Sequence, residues 1–219
     1  MGKKLSLDLL IFDLDGTLVD SMTDIVRSAN FTLQQLGWPP LPAATIQSYV
    51  GDGIRRLVQR CLAHYTEVTP EMLERALDIY FQFYDQHCTD HAQVYPGVME
   101  TLVFFQHKKK VVLSNKGAYY TQKILQALGL APHFDLILGG DSLDEKKPHP
   151  QPVFHILDRL KVVRDRAMII GDSPQDIQSG KAAGIFTCGV LYGYRPAEML
   201  TGADYTIRSM LELQHIVAR

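Results

Sequence analysis

Short apolar runs alternate with helix-length segments over most of the chain. The apolar runs cover residues 7–12, 110–114, 134–138, 167–170 and 186–191. The helix-length segments between them cover residues 98–107, 119–128, 150–160 and 174–183. Uninterrupted apolar runs are typical of parallel strands that are buried on both faces. The alternation therefore predicts an α/β fold, a doubly wound parallel sheet with a ligand crevice at the carboxyl ends of its strands.

Residues 20–92 interrupt this alternation. The spacing of their apolar residues predicts helices at 21–36, 53–64 and 70–88. Ser21 and Asp24 have the spacing of a capping box at the start of the first of these helices. The pattern therefore predicts an α/β core domain formed by residues 1–19 and 93–219. Residues 20–92 are expected to form an inserted α-helical cap domain, a lid over the edge of the sheet.

Composition and charge exclude several classes of partner. The 219 residues are 46% apolar and 21% charged, as in an ordinary soluble globular protein. The net charge of −2 gives no electrostatic case for nucleic acid, and no segment approaches the ~20 apolar residues of a membrane span. The odd number of cysteines, without a signal peptide, favours a reducing compartment. We expect a cytoplasmic monomer or homodimer, with Cys61, Cys88 and Cys188 as packing residues.

Two aspartates directly follow the first predicted strand, in the run DLDGTLVDS at residues 13–21. Carboxylates spaced i, i+2 at a strand end supply one nucleophile, Asp13, and one nearby proton shuttle, Asp15. Attack by an aspartate on phosphorus divides hydrolysis into two easier steps. The second carboxylate can protonate the leaving oxygen and later take a proton from water. For the four residues DLDG alone, the alternative is an ordinary turn, in which Asp and Gly are present only because they favour the turn conformation of the backbone.

Three later segments also place polar residues at or just after strand ends. They are Ser114, Lys147 in KKPHPQP at 146–152, and Asp172 and Asp176 in GDSPQD at 171–176. Each has an ordinary alternative: a turn serine, a solvated loop lysine, and a helix N-cap with Asp176 in the first turn. Taken in order with residues 13–21, they resemble the four motifs of the haloacid dehalogenase superfamily. Those motifs are DxDGT, a phosphate-binding Ser or Thr, K-P-x-P and an acidic GDxxxD.

The resemblance implies the chemistry of a phosphatase that works through an aspartyl-phosphate. Asp13 would carry the phosphoryl group, and Asp15 would move the proton. The Ser114 hydroxyl would donate a hydrogen bond to a phosphoryl oxygen, and Lys147 would add a positive charge. A phosphoryl group in transfer carries negative charge on its oxygens, so an aspartate can approach it only when cations offset the repulsion.

The resemblance also implies a magnesium site. Its ligands would be the carboxylates of Asp13 and Asp172 and the main-chain carbonyl of Asp15, with Asp176 behind them. Mg²⁺ prefers carboxylate, carbonyl and water oxygens in an octahedral array, which this set can supply. A bound metal would explain why several acidic residues occur together, whereas without a metal their negative charges would only repel one another.

Some branches of the superfamily are disfavoured by individual residues. The members that remove halide without a metal lack the second aspartate, whereas Asp15 is present here. Members that form a Schiff base use a lysine of the cap, but residues 20–92 contain no lysine.

The segment YVGDGIRRLV at residues 49–58 resembles the VGxGxxxLV stretch of bacterial phosphoglycolate phosphatases. Residues 134–152 and the pair Gly193-Tyr194 extend the resemblance. Phosphoglycolate bears a carboxylate beside its phosphate. Gly51 would allow close approach of the ligand, and Arg55, or else Arg56 or Arg195, would pair with the carboxylate. For either cap arginine the alternative is a solvated side chain at a helix entry.

Several possibilities stay open at this level. The substrate could instead be a sugar phosphate, pyrophosphate or a nucleotide, because cap contacts change the substrate while the core motifs stay the same. A phosphomutase would use the same Asp13 and Asp15, and a non-catalytic binding protein is a remote alternative. Thr17 and Asn115 are candidate contacts to the small phosphorylated metabolite, as is Lys116.

Overall fold

The computed structural model describes residues 4–219, which divide into two compact units. One unit comprises residues 4–20 and Gln93–Arg219, and it contains the sheet. The other comprises Ser21–Ala92 and is built from helices. That the helical unit serves as a cap domain stays a prediction.

The described residues form eight strands and nine α-helices. The strands are β1 (Leu9–Phe12), β2 (Val19–Asp20), β3 (Gln93–Val94), β4 (Lys109–Leu113), β5 (Leu136–Leu138), β6 (Ala167–Gly171), β7 (Phe186–Val190) and β8 (Tyr205–Ile207). The α-helices are α1 (Met22–Gln35), α2 (Ala43–Tyr49), α3 (Ile54–Ala63), α4 (Pro70–His87), α5 (Val98–Phe104), α6 (Ala118–Ala127), α7 (Gln151–Leu160), α8 (Pro174–Ala183) and α9 (Leu213–Ile216). Short 3₁₀ turns occupy Ala131–His133, Arg164–Arg166, Ala197–Leu200 and Met210–Glu212.

Six strands form one parallel sheet in the order β5-β4-β1-β6-β7-β8, which confirms the predicted fold class. In its centre, Phe12 of β1 lies opposite Val112 of β4 and Ile170 of β6. This register brings the carboxyl ends of three strands to the same level. The residues that follow β1, β4 and β6 therefore meet at one edge of the sheet.

One face of the sheet packs on α7. Every second residue of the central strands contributes to this core, as the alternation of side chains along a strand requires. Together they include Leu9 and Ile11 of β1, Val111 and Leu113 of β4, Ala167 and Ile169 of β6, and Val153, Ile156 and Leu157 of α7. The opposite residues of β1, Leu10 and Phe12, are also fully buried. Burial on both faces explains why the sequence of β1 is uninterrupted in its apolar character.

Most predicted elements exist, and the differences lie at their ends. Helix α8 has the predicted bounds, whereas α5 ends at Phe104 rather than at residue 107. The chain turns there because the Gln106 N–H donates to the Val103 carbonyl and the Lys108 N–H to the Phe105 carbonyl. Strand β5 begins two residues later than predicted, since the N–H of Phe134 closes the preceding 3₁₀ turn.

The two-residue strands β2 and β3 form an antiparallel ribbon that the sequence did not predict. Val19 pairs with Val94, and Asp20 pairs with Gln93. The ribbon lies where the chain leaves the sheet-containing unit and where it returns. The sequence also did not predict strand β8, at the edge of the sheet. Its three residues are too few to show a recognisable pattern of apolar and polar positions.

The helical unit is held together by apolar faces at helical spacing. Helix α1 buries Ile25, Ala29 and Leu33, and α4 buries Leu73, Ala76, Leu77, Tyr80 and Tyr84. The rings of Tyr80 and Tyr84 lie 5.3 Å apart, and Phe31 stacks on Phe83 at 4.2 Å. These aromatic side chains are therefore part of the packing that holds the helical unit together. Helix α2, which follows a proline-rich segment, was missed.

The predicted capping box at Ser21 and Asp24 is wrong. Ser21 precedes α1 but makes no side-chain cap hydrogen bond. The buried Asp24 carboxylate instead accepts the main-chain N–H of His91 at 2.9 Å, and its other oxygen lies 2.8 Å from the His91 Nδ1. The Asp24 carboxylate therefore binds His91, which is distant in sequence, and does not cap the N-terminus of α1. Within residues 4–219, every helix is too short or too polar to cross a membrane.

Candidate active site

Asp13 is the first residue beyond β1, and the sheet fixes its main chain. Its N–H donates to the Ile170 carbonyl of β6 at 2.9 Å. Its carboxylate oxygen Oδ1 accepts the N–H of Leu14 at 2.7 Å. Asp13 is only 9% exposed, so one end of a buried strand presents a carboxylate that is almost removed from bulk water.

Two further buried carboxylates meet Asp13 at this edge. Asp172 directly follows β6, and Asp176 lies in the first turn of α8. Carboxylate oxygens of Asp13, Asp172 and Asp176 all lie within 4.8 Å of one another. Because β1 and β6 are neighbouring strands, residues 159 positions apart in sequence become adjacent at the edge of the sheet.

Lys147 supplies the positive charge of this cluster. Its buried ammonium lies 2.9 Å from Asp13 Oδ1 and 2.6 Å from Asp176 Oδ1. Burial by itself lowers the pKa of Lys147. The charges of Asp13 and Asp176 and their hydrogen bonds outweigh that effect, so the pKa of Lys147 is raised above its usual value. Lys147 is therefore a fixed cation.

One lysine does not balance three carboxylates. Burial raises the pKa of Asp13 to about 7, with the Asp176 charge acting in the same direction against the lowering effect of Lys147. Burial, followed by the charges of Asp13 and Asp176, also raises the pKa of Asp172 well above its usual value. Among the described residues, Lys147 alone therefore leaves the three clustered carboxylates with an excess of negative charge. Their hard oxygen donors fit Mg²⁺, whose charge would supply the compensation.

Asp15 has a cationic partner of its own. The ammonium of Lys116, which follows β4, lies 2.7 Å from Asp15 Oδ1, and both side chains are largely buried. The sequence marked Lys116 only as a candidate contact to phosphate or substrate. Its position just after a predicted strand indicated that Lys116 lies near the site. The sequence could not indicate its partner, Asp15, which lies 101 residues away.

The segment after β4 also carries Ser114 and Asn115. The N–H of Ser114 extends the ladder to the Leu138 carbonyl of β5 at 3.0 Å. Asn115 donates through Nδ2 to the main-chain carbonyl of Lys147 at 2.9 Å. Asn115 thereby braces the loop that carries Lys147. A direct contact between Asn115 and substrate stays a prediction.

Asp176 has two duties at once. Its Oδ2 accepts the N–H of Ser173 at 3.1 Å and the Ser173 hydroxyl at 2.6 Å, at the start of α8. Its Oδ1 holds Lys147. The helix-cap alternative for this motif is therefore correct, together with a place in the charged cluster. A Cβ on Gly171 would lie 2.1 Å from the Asp176 Cγ, so glycine is required for this close approach.

Thr17 lies in the turn that follows Asp13 and Asp15, and its side chain is fully buried. Within the described part of the chain its Oγ1 has no hydrogen-bond partner, although its carbonyl accepts the Tyr192 hydroxyl at 2.8 Å. A buried hydroxyl of this kind is costly unless a ligand or water satisfies it. Substrate binding by Thr17 stays a prediction.

The pair Gly139-Gly140 lies in a tight turn after β5. The N–H of Ser142 donates to the Gly139 carbonyl at 3.1 Å, and the N–H of Gly140 donates to the Lys116 carbonyl at 2.8 Å. A Cβ on Gly140 would lie 2.4 Å from the Asn115 carbonyl oxygen. The turn supports the segment that carries Asn115 and Lys116.

The predicted cap residues lie in the helical unit. Gly51 has a φ of 119°, a conformation that favours glycine, in the loop before α3. Arg55 forms an exposed ion pair with Glu74 of α4, and Arg56 donates to the side chain of Gln59. The contact of Gly51 or Arg55 with substrate stays a prediction.

The fold and this cluster define a hydrolase of the doubly wound α/β class. The chain belongs to the family of haloacid dehalogenase-like hydrolases, whose family model matches residues 10–190. The predicted family is confirmed.

Similar proteins agree with this membership. A phosphoglycolate phosphatase of Chromobacterium violaceum is 40% identical over 210 residues, 94% of each chain. One of Neisseria gonorrhoeae is 40% identical over 199 residues, 89% of this chain and 84% of that one. The crystal structure of a predicted phosphoglycolate phosphatase from Haemophilus somnus has a TM-score of 0.90 at 29% identity, covering 96% of this chain and 98% of that chain.

Proposed function

We propose that this chain is a magnesium-dependent phosphatase that hydrolyses a small phosphate monoester, 2-phosphoglycolate, through an aspartyl-phosphate on Asp13. The observation that carries the proposal is the buried cluster around Asp13. Its carboxylate touches Lys147 at 2.9 Å and shares an acidic site with Asp172 and Asp176, at the carboxyl end of the central strand. Relatives that are 40% identical over nine-tenths of the chain bear the name of this activity.

In the first step, an oxygen of Asp13 attacks phosphorus, and the bond from phosphorus to the ester oxygen breaks. Asp15 gives its proton to the departing alcohol oxygen. In the second step, a water oxygen attacks the same phosphorus, and Asp15 takes one of the protons of that water. The phosphorus–oxygen bond to Asp13 then breaks, which releases inorganic phosphate and restores both carboxyl groups.

The charged residues around Asp13 make this attack feasible. Lys147 is a buried permanent cation within reach of the same oxygens, and Ser114 at the end of β4 would donate its hydroxyl to the phosphoryl group. Asp13, Asp172 and the main-chain carbonyl of Asp15 would hold Mg²⁺. A bound Mg²⁺ supplies positive charge that offsets the repulsion between a carboxylate and a phosphate dianion.

The helical unit would act as the cap domain and supply substrate recognition. Gly51 and Arg55 lie at the entry of α3, in the segment that resembles bacterial phosphoglycolate phosphatases. Arg55 would exchange its exposed partner Glu74 for the carboxylate of the substrate, because an exposed ion pair contributes little stability. Cap closure would exclude bulk water during attack. A cytoplasmic location, a monomeric or homodimeric state and the absence of nucleic-acid and membrane partners stay predictions.

The test is a screen of small phosphate esters with and without Mg²⁺, ranked by kcat/KM. 2-Phosphoglycolate should lead, ahead of ethyl phosphate, which lacks only the carboxylate function. Chelation by EDTA should abolish turnover, and added Mg²⁺ should restore it. A flat ranking would contradict the substrate proposal. Transfer of phosphate between positions of a hexose with little release of phosphate would instead identify a mutase.

A further inference from the structure

A loop after β7, residues 191–195 with the sequence LYGYR, contacts the acidic cluster through its main chain. The N–H of Tyr194 donates to Asp172 Oδ2 at 2.6 Å. Asp172 is 3% exposed, so this donor acts on a buried carboxylate. The sequence marked Gly193-Tyr194 only as part of a family resemblance and Arg195 only as a candidate substrate contact. It gave no sign of the bond to Asp172, because a main-chain N–H is present whatever the side chain.

Two glycines enclose the same carboxylate. A Cβ on Gly193 would lie 2.2 Å from the Asp172 Cβ and 2.6 Å from both Asp172 Oδ2 and the Gly16 carbonyl oxygen. A Cβ on Gly16 would lie 2.3 Å from Asp172 Oδ2, and Gly16 has a φ of 81°. Neither position has room for a side chain. The carboxylate is therefore held between the loop and the segment after β1.

Two tyrosines fasten the loop to that segment. The Tyr192 hydroxyl donates to the Thr17 carbonyl at 2.8 Å, and the Tyr194 hydroxyl to Asp20 Oδ1 at 3.1 Å. The ring of Tyr192 also packs against Tyr95 at 4.8 Å. These contacts lie within the sheet-containing unit. They fix the distance between the Tyr194 N–H and the segment that carries Asp13 and Asp15.

We propose that this loop positions Asp172 as a magnesium ligand, with Gly193 and the Tyr194 N–H as the positioning groups. The inference rests on the proposed metal site. One oxygen of Asp172 is engaged by the Tyr194 N–H, which fixes the plane of the carboxylate and leaves its other lone pairs for the cation. Groups that orient a ligand in this way typically contribute about 10- to 100-fold to metal affinity.

Gly193→Ala tests the close approach. The added methyl group must push Asp172 and the loop apart, since contacts of 2.2 Å to a Cβ do not occur. Titration of the protein with MgCl₂ alone, by isothermal calorimetry and by the Mg²⁺-induced rise in Tm, should show affinity weakened by at least about 10-fold. Gly202→Ala is the matched control, because its Cβ would meet only the Ile177 Cγ2, at an ordinary 3.7 Å.

Tyr194→Pro and Tyr194→Ala separate the N–H from the side chain. Both variants lose the ring and its bond to Asp20, but only proline lacks the N–H. Proline should weaken Mg²⁺ binding by about 10-fold relative to alanine. Circular dichroism and Tm in the absence of Mg²⁺ verify that each variant is folded.

The outcomes separate this inference from the proposed function. If wild-type protein binds Mg²⁺ and a folded Gly193→Ala or Tyr194→Pro variant binds it equally well, the positioning role is wrong while the metal site stands. If wild-type protein itself does not bind Mg²⁺, the metal site is wrong, and the positioning role falls with it.

Discussion

The Lys116 ammonium lies 2.7 Å from Asp15 Oδ1, and the side chains are 4% and 13% exposed. Asp15 is the proposed proton shuttle, and Lys116 sits at the start of a different segment, after β4. The pair therefore joins the two loops that follow β1 and β4. It holds the shuttle carboxylate in one place before any substrate is bound.

We expect Lys116→Met to lower kcat more than it raises KM, because Asp15 loses the partner that positions it. A misplacement of about 1 Å is enough to cost about 100-fold in rate. Steady-state kinetics on the preferred ester measures the effect. Lys116→Arg should recover part of the activity, and Lys123→Met on α6 is the control outside the site.

A double-mutant cycle separates positioning from other roles of Lys116. In an Asp15→Asn background, Lys116→Met should have little further effect, since both changes remove the same function. Equal losses in the two backgrounds would show that Lys116 does not act through Asp15.

Asp13→Asn should abolish turnover, with a loss of at least about 10⁴-fold in kcat. The amide has nearly the same shape, but it is a poor nucleophile. Lys147 keeps its bond to Asp176, so the fold should survive. Single-turnover assays and Tm measure the two properties. Substantial residual phosphatase activity would reject Asp13 as the nucleophile.

Lys147→Met should destabilise the protein by about 3–5 kcal/mol, because it removes the only cation in contact with both Asp13 and Asp176 among the described residues. Urea denaturation in EDTA measures the free energy of unfolding. Lys181→Met is the control: its ion pair with Asp204 is partly exposed and should contribute at most about 1 kcal/mol. A loss as small as that of the control would show that the buried charges are compensated in another way.

Cys61 and Cys188 should not react with a thiol reagent at pH 8 while the protein is folded. Burial raises the pKa of each thiol to about 12, and the reactive thiolate forms only as the pH approaches the pKa. Both thiols should react promptly in urea, where the pKa returns to its usual value. Quantifying released thionitrobenzoate with and without urea checks this. Rapid modification of the folded protein would contradict the buried environment of these residues.

The amino-acid sequence determined the architecture of the core and the identity of its acidic residues. The apolar runs predicted five strands of the parallel sheet, and the bounds of α8 agree with the prediction. Asp13, Ser114 and Asp172 follow β1, β4 and β6, as their positions after apolar runs predicted. These features follow from the spacing of apolar residues along the chain and from where each apolar run stops, and both are visible in the local sequence.

Only the tertiary structure determined which groups these polar side chains bind. Asp24 bonds His91 rather than its own helix end, Lys116 pairs with Asp15, and the Tyr194 N–H holds Asp172. Each contact joins residues 22 to 101 positions apart. The pairs at the sheet edge depend on the register of neighbouring strands and on which loops meet there, and the Asp24–His91 pair depends on the packing of the helical unit. A main-chain donor also has no signature in the order of side chains, so only the folded chain reveals it.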